Sequence, residues 1–206
     1  MKDLKKIVII GPESTGKSTL CKQLAQHYNT LWCPEFAREY LLKNGMDYTY
    51  DDLLLIARGQ IALEDEFILS MVNGQWSMSA PNESKDSTNR RTATDSPLTI
   101  DHSLLFIDTD MYVLKVWCEF VFGKCHRYIL DQIVERKYDL YLLCNTDLPW
   151  IMDELREYPD LETREKLFEM YKDCMINQST PWVIIAGNEE SRLKTAIQSV
   201  DSLLNS

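Results

Sequence analysis

The sequence is poor in positive charge. Of its 206 residues, 22 are Lys or Arg and 32 are Asp or Glu, which gives a formal net charge of −10. Proteins that bind nucleic acids or anionic membranes present clusters of basic residues, because both partners carry dense negative charge. We therefore expect no nucleic-acid partner and no membrane partner. A small molecule is the expected ligand.

Long apolar runs and paired cysteines are also lacking. No stretch approaches the roughly 18 apolar residues that a membrane helix needs, and the first apolar run starts too near Met1 to follow a signal peptide. The six cysteines are scattered without a C-x-x-C spacing. Such cysteines are typical of reduced thiols in the cytosol. We therefore expect a cytoplasmic protein without disulfides or zinc.

Glycine is scarce, with seven residues in all, yet two of them fall in one motif. Residues 11–18 read Gly-Pro-Glu-Ser-Thr-Gly-Lys-Ser, which matches the phosphate-loop pattern G-x-x-x-x-G-K-[ST]. In this pattern backbone N–H groups surround the phosphates, the lysine reaches the β- and γ-phosphates, and the hydroxyl binds Mg²⁺. A β-branched apolar run precedes the motif and an amphipathic helical pattern follows it, as a strand, loop and helix N-terminus require.

The predicted ligands of this motif are ATP and Mg²⁺. The residues predicted to bind ATP are Gly11, Pro12, Glu13, Ser14, Thr15, Gly16, Lys17, Ser18, Thr19 and, in a turn near the last helix, Asn188.

Strand and helix patterns alternate along the chain. Strands are predicted over residues 5–10, 29–35, 104–110, 139–145 and 182–186, and helices over 18–28, 36–42, 49–72, 111–122, 125–136, 162–177 and 189–204. Alternation of this kind predicts right-handed crossovers and a parallel sheet covered on both faces. We therefore predict a P-loop kinase-like α/β/α fold with a five-stranded parallel sheet, in a single domain of residues 1–206. Residues 73–103, rich in Ser, Asn, Thr, Asp and Pro, are predicted to be a flexible low-complexity insertion.

Ligands of parallel sheets bind beyond the carboxyl ends of the strands, where acids follow two predicted strands. Asp108 occupies the Walker-B position and is predicted to bind Mg²⁺ together with Ser18. Glu35 could accept a proton from an attacking hydroxyl or bind substrate hydroxyls. Arg38, one turn further, is either a substrate contact or an exposed helix residue. Asp110 either binds substrate or caps the following helix.

Two arginines, Arg156 and Arg164, flank the connection after the fourth strand. In small kinases this connection is a lid whose arginines move over the triphosphate, although two solvated helix charges would give the same pattern. The predicted catalytic set is therefore Lys17, Glu35, Asp108, Arg156 and Arg164. Residues 144–147 read Cys-Asn-Thr-Asp, and the lack of an Asn-Lys-x-Asp string disfavours a Ras-like GTPase.

Four segments occur in one characteristic order. They are Gly-Pro-Glu-Ser-Thr-Gly-Lys-Ser-Thr at 11–19, Glu-Phe-Ala-Arg-Glu-Tyr at 35–40, Phe-Ile-Asp-Thr-Asp at 106–110 and Asp-Leu-Pro-Trp-Ile-Met-Asp-Glu-Leu-Arg at 147–156. Together they resemble the nicotinamide riboside kinase domain of NadR-type proteins of NAD salvage. The resemblance spans nearly the whole chain outside residues 73–103.

This resemblance implies ATP- and Mg²⁺-dependent phosphorylation of the 5′-hydroxyl of nicotinamide riboside, which gives nicotinamide mononucleotide. It assigns ATP and metal binding to Lys17 and Ser18, the Walker-B role to Asp108, and the lid role to Arg156 and Arg164. Glu35 and Asp110 could in addition face the cationic pyridinium ring.

The chain also departs from the family pattern. Pro34 stands where the family has an aromatic residue, and Trp32 lies two residues earlier. Since the chain begins at the kinase strand, we expect it neither to adenylylate the mononucleotide nor to bind operator DNA.

Two alternatives remain open at this point. The chain could be a P-loop kinase for another nucleoside or small acceptor. It could instead be a nucleotide-dependent binding or regulatory module, with residues 73–103 as its partner-binding element.

Overall fold

The computed structural model describes residues 4–73 and 100–205, and all structural statements below concern these residues. The elements are β1 (Lys5–Ile10), α1 (Lys17–His27), β2 (Leu31–Cys33), α2 (Phe36–Asn44), α3 (Tyr50–Asn73), β3 (Leu104–Asp108), α4 (Met111–Phe122), α5 (Arg127–Glu135), β4 (Leu140–Cys144), α6 (Leu161–Ile176), β5 (Trp182–Ile185) and α7 (Glu189–Leu204). Most of the predicted insertion, residues 74–99, lies outside the described residues, so its flexibility stays a prediction.

The five strands form one parallel sheet in the order β2-β3-β1-β4-β5. Helices α1 and α7 pack on one face, and residues of α2 to α6 form the core on the other face. The predicted three-layer P-loop kinase-like fold is therefore confirmed. The first strand, β1, is central, which places the following loop in the middle of the carboxyl edge.

The apolar run of β1 reflects its burial on both faces. Val8 and Ile10 belong to the core under α2 to α6, whereas Ile7 and Ile9 belong to the core under α1 and α7. All four side chains are fully buried. Successive side chains of a strand point to opposite faces, so a strand with helices on both sides needs apolar residues at every position.

Four of the five strands are shorter than predicted, and backbone conformation explains the changes in β2 and β3. The strand predicted over 29–35 covers only Leu31–Cys33, because Asn29 has a left-handed φ of 51° and Pro34 has no N–H for a ladder. The strand predicted to reach residue 110 ends at Asp108, and Thr109 has a φ of 79°. The changes at Pro34 and Thr109 occur at the carboxyl edge, which carries the predicted site, and the change at Asn29 occurs at the opposite edge.

The long helix α3 begins as its sequence signature predicts. The Asp52 carboxylate accepts the Thr49 N–H at 2.8 Å, and the Thr49 hydroxyl accepts the Asp52 N–H at 3.3 Å. This reciprocal pair is a capping box, which satisfies free N–H groups at the helix start. Within residues 4–73 and 100–205, no helix has the length and apolar character to cross a membrane.

Position 11 requires glycine, because the backbone at the end of β4 lies close to it. Gly11 has a φ of 140°, and an added Cβ would lie 2.6 Å from the backbone oxygen of Cys144. Gly45, at the end of α2, has a φ of 91° with no atom within 4 Å of an added Cβ. Alanine at position 45 would therefore meet backbone strain alone, whereas alanine at position 11 would meet backbone strain and a steric clash.

We predict that Gly45→Ala lowers the free energy of unfolding by about 1–3 kcal/mol through backbone strain alone. Gly11→Ala should cost about 1–3 kcal/mol more, because a backbone oxygen cannot move aside as a side chain can. Denaturant unfolding of both variants measures the difference. Equal losses would contradict a clash at Gly11.

Candidate active site

One cavity of about 420 Å³ lies at the carboxyl edge of the sheet. Its wall includes the whole phosphate loop (residues 11–18), the segments that follow β2 and β3, and residues 153–158. The structure therefore brings most of the predicted site residues together. Those in the wall are Gly11, Pro12, Glu13, Ser14, Thr15, Gly16, Lys17, Ser18, Thr19, Glu35, Arg38, Asp108 and Arg156.

The phosphate loop is held in shape by its own hydrogen bonds. The Thr15 hydroxyl donates to the Pro12 oxygen at 2.7 Å, and Lys17 Nζ donates to the same oxygen at 2.9 Å. Gly16 takes a left-handed conformation with φ 77° and starts α1. The loop and the N-terminus of α1 both line the cavity, and a loop at a helix N-terminus is a common anion site.

Arg192, on α7, is 4% exposed and binds this loop. Its guanidinium donates to the backbone oxygens of Thr15 at 2.9 Å, Gly187 at 2.9 Å and Asn145 at 2.8 Å, and it pairs with the Asp147 carboxylate. Sequence reasoning missed this residue. Its spacing of four residues after the turn at 187–188 was the only available signal.

Asp108 is almost completely buried, with 1% of its surface exposed. Neither carboxylate oxygen accepts a hydrogen bond from a residue that the structure describes. Burial first, and then the nearby charge of Glu35, raise the pKa of Asp108 to about 7, against the effect of Lys17. The Thr109 hydroxyl donates to Glu35 Oε1 at 3.4 Å, so two carboxyl groups face the phosphate loop from adjacent strands.

A divalent cation fits this arrangement. A buried carboxylate without hydrogen-bond partners, beside the hydroxyl of the loop serine, is the donor set that Mg²⁺ takes from protein in a nucleotide site, with phosphate and water oxygens completing the shell. Among the described residues, no group of three or more His, Cys, Asp or Glu side chains could hold a metal by itself. Ser18 and Asp108 would therefore act together with a bound nucleotide.

Three predicted site residues lie outside this cavity. Asp110 caps α4, accepting the Tyr112 N–H at 2.9 Å and the Tyr141 hydroxyl at 2.8 Å. Arg164 is buried on α6, where Nη1 lies 3.5 Å from the Leu148 oxygen. The Asn188 side chain accepts the Ser191 N–H and caps α7. Asp110 and Asn188 thus cap helices, and for Asp110 the structure favours the cap over the substrate contact, whereas the buried Nε of Arg164 has no hydrogen-bond partner among the described residues.

The connection between β4 and α6, residues 145–160, is here termed the lid segment. It reaches both sides of the cavity. On the α2 side, Arg38 donates to both carboxylate oxygens of Asp153, at 3.2 and 3.1 Å, and this contact lowers the pKa of Asp153. Arg38 therefore holds the lid segment as well as lining the cavity.

Part of the cavity wall is aromatic, and Glu157 adds a carboxylate to it. The aromatic residues in its wall are Trp32, Trp117, Phe120, Tyr158 and Tyr171. Trp117 Nε1 donates to the Tyr48 hydroxyl at 2.9 Å, and this hydroxyl donates to Glu157 at 2.8 Å. No sequence pattern predicts this cluster, since its members come from five separate segments.

Comparison with known proteins gives a family match over most of the chain. Residues 6–79 and 84–192 match the model of the AAA domain family (AAA_28). The trifunctional NAD biosynthesis/regulator protein NadR of Escherichia coli (strain K12) is 24% identical over 206 residues, which cover 98% of this chain and 43% of that protein. Its namesake in Salmonella typhimurium (strain LT2) is 27% identical over 178 residues, which cover 82% of this chain and 36% of that protein.

The chain thus spans less than half the length of these two relatives. Among solved structures, a NadR protein in complex with NR has a TM-score of 0.67 at 22% identity, covering 98% of this chain and 50% of that one. A thymidylate kinase from Ehrlichia chaffeensis has a TM-score of 0.56 at 12% identity, covering 96% and 99%. The predicted resemblance and the predicted fold are both confirmed by these matches.

The raised pKa of Asp108 predicts a pH-dependent contribution to stability. Its ordinary value is 3.8 and its folded value is about 7, so the folded state binds this proton more tightly than the unfolded state. The resulting stabilisation is complete below pH 4 and is lost as the pH rises through 7. The Asp108→Asn variant lacks this titration. We predict that its free energy of unfolding, relative to that of the parent protein, rises by about 1–4 kcal/mol from pH 5 to pH 8.

Chemical unfolding at the two pH values measures this gain. Titratable groups distant from Asp108 contribute equally to both proteins and cancel in the comparison, whereas Glu35, whose charge acts on Asp108, is part of the measured difference. A difference between variant and parent that stays the same at pH 5 and pH 8 would contradict the raised pKa.

Proposed function

The chain belongs to the AAA domain family (AAA_28), and from that membership we propose that it is an ATP-dependent kinase of the 5′-hydroxyl of nicotinamide riboside. The main support is that Glu35 and Asp108 line the same cavity as the phosphate loop. A kinase needs a site for the triphosphate and, across the transferred phosphoryl group, a group that receives the proton of the acceptor. Both occur here in one cavity.

On the donor side, the phosphate-loop N–H groups and Lys17 hold the triphosphate of ATP. Phosphoryl transfer depends on positioning and on neutralising charge rather than on covalent chemistry by the protein. Ser18 and Asp108 would hold a Mg²⁺ ion, which when bound neutralises charge on the phosphate oxygens. Arg156 adds a positive charge from the lid segment, and it lies in the cavity wall.

On the acceptor side, Glu35 receives the proton of the hydroxyl. The acceptor oxygen forms a bond to the γ-phosphorus while the bond from that phosphorus to the ADP oxygen breaks. The Thr109 hydroxyl, 3.4 Å from Glu35 Oε1, orients the carboxylate. Glu35 stands on the short segment between β2 and α2, so its backbone is fixed at both ends.

The acceptor side also suits a cationic aromatic ring. Tyr158, Trp117 and Phe120 supply ring faces and edges, and the Glu157 carboxylate lies at the same wall. Aromatic faces attract cations, and the attraction is larger when the site excludes water. The pyridinium ring of nicotinamide riboside carries such a charge, whereas the bases of the common nucleosides are neutral. The relatives named NadR and the structure of a NadR protein with NR are consistent with this choice.

The acceptor is tested with a panel of nicotinamide riboside, adenosine, uridine, thymidine and thymidine monophosphate. We expect nicotinamide riboside to stimulate ADP formation most, with a product heavier than the substrate by one phosphoryl group. The measurement is coupled ADP release with mass spectrometry of the product. If nicotinamide riboside gave no stimulation while another acceptor did, the substrate assignment would be wrong and the kinase assignment would stand.

Glu35→Gln tests the proposed base. We expect kcat to fall by about 10²–10⁴-fold, because the amide cannot accept the proton, with little change in ATP affinity. The matched control is Glu39→Gln, an exposed residue of α2 outside the cavity wall, which should retain activity. Full activity of Glu35→Gln would remove Glu35 from the mechanism.

A further inference from the structure

We propose that the carboxylate of Glu13, a residue of the phosphate loop, positions the lid segment and does not bind the phosphates, which leaves the Glu13 N–H among the loop donors. Its carboxylate holds residues 150–158 over the loop and thereby keeps Arg156 over the triphosphate site. The inference rests on the proposed kinase function for its kinetic consequences. The structural part can be tested without an acceptor.

The contacts of Glu13 go to the lid segment. Its Oε1 accepts Trp150 Nε1–H at 3.2 Å and the Tyr158 N–H at 2.7 Å, and its Oε2 accepts the Glu157 N–H at 2.9 Å. Beside it, Ser14 Oγ accepts the Ile151 N–H at 3.0 Å. Two consecutive loop side chains therefore bind four N–H groups of one segment.

The charge of Glu13 makes a phosphate contact unfavourable. A carboxylate and a triphosphate repel each other, and the phosphate-loop pattern places no requirement on this position. Three N–H donors directed at one carboxylate offset its negative charge. The same hydrogen bonds give the lid segment, which contains no helix or strand, a fixed attachment at its centre.

This attachment acts on Arg156 through the chain itself. Glu157 and Tyr158, whose N–H groups bind Glu13, are the two residues that follow Arg156, so the backbone of Arg156 is held within one residue of a fixed point. Its Nη1 also donates to the Ile151 oxygen inside the lid segment. Loss of the Glu13 contacts would therefore free the backbone next to Arg156 from the phosphate loop. The lid segment would then be held by the contacts of Ser14, Arg38 and Tyr48.

The lid segment is also held by two residues outside the phosphate loop, Arg38 and Tyr48. Arg38 binds Asp153 and Tyr48 binds Glu157, so the lid segment bridges the donor and acceptor sides. A lid fixed at both sides keeps water away from the γ-phosphate until an acceptor is present. We therefore expect Glu13 to set the coupling between ATP consumption and acceptor phosphorylation.

The first experiment uses Glu13→Gln, which replaces one acceptor oxygen by an NH₂ donor and leaves at least one lid N–H without a partner. Amide hydrogen exchange of Glu157 and Tyr158 is measured in the full chain without any ligand. We expect exchange at these amides to become about tenfold faster or more, as loss of a hydrogen bond to a charged acceptor implies. Unchanged exchange would overturn the proposal.

The second experiment measures coupling with the same protein. We expect Glu13→Gln to raise the ADP formed per acceptor phosphorylated by about tenfold or more, and to raise KM for ATP more than it lowers kcat. Trp150→Phe, which removes one of the three donors and leaves the phosphate loop unchanged, should shift both quantities in the same direction by a smaller factor. Faster exchange with unchanged coupling would overturn the kinetic role of Glu13.

The matched control is Glu66→Gln, which removes the same charge from an exposed position of α3 outside the cavity wall. It should match the parent protein in exchange and in coupling, and an equal effect there would assign the changes to net charge and overturn the proposal. If the parent protein phosphorylated no acceptor, the proposed kinase function would fail. The exchange of Glu157 and Tyr158 would still decide whether Glu13 holds the lid segment.

Discussion

The buried guanidinium of Arg192 is the interaction on which the nucleotide side of the molecule depends. It binds backbone oxygens of the phosphate loop, of the end of β4 and of the turn after β5, and it pairs with Asp147. Three loops that leave neighbouring strands are thereby fixed to one side chain. A buried charge is tolerated only where its hydrogen bonds are satisfied, and here four acceptors satisfy it. The phosphate loop can be rigid because its support is independent of its ligand.

Asp108 differs from Arg192, because its buried charge lacks the hydrogen bonds that Arg192 has. Asp108 is buried without hydrogen-bond partners in the described part of the chain, and its pKa is raised. Such a group lowers the stability of the folded protein at neutral pH, so stability does not explain its presence. A ligand that brings positive charge does explain it, because binding then supplies the partners that the fold withholds. Strain at Thr109, with its φ of 79°, lies at the same point.

The sequence predicted the fold well because the fold depends on local patterns. Apolar runs such as residues 7–10 identify strands buried on both faces, and the glycines of the phosphate loop identify the turn that follows. The boundaries were less certain, since β2 ends where a proline and a left-handed asparagine interrupt it. The periodicity of apolar residues predicts whether a segment is a helix or a strand, but it does not predict the conformation of the residues at its ends.

The site was predictable in its position but not in the direction of its side chains. Asp110 and Arg164 follow the expected elements, yet one caps a helix and the other is buried against the lid segment. Conversely, Glu13 and Arg192 bind partners more than 130 residues away in sequence. A motif fixes which backbone atoms surround the phosphate. Which side chains then face the ligand, and which hold the surrounding loops, depends on contacts between distant segments.

An acidic chain can bind an acidic ligand when its carboxylates are already engaged or placed apart from the phosphates. Glu13 is occupied by three lid donors, Asp153 by Arg38, and Glu157 by Tyr48. In the wall of the proposed nucleotide cavity, the phosphate loop supplies N–H groups, and Lys17 and Arg156 supply positive charge. Solvent and salt screen charges that lie more than about 8–10 Å away. The electrostatic potential at a bound nucleotide would therefore depend mainly on these nearby groups. The net charge of −10 is then compatible with a triphosphate site.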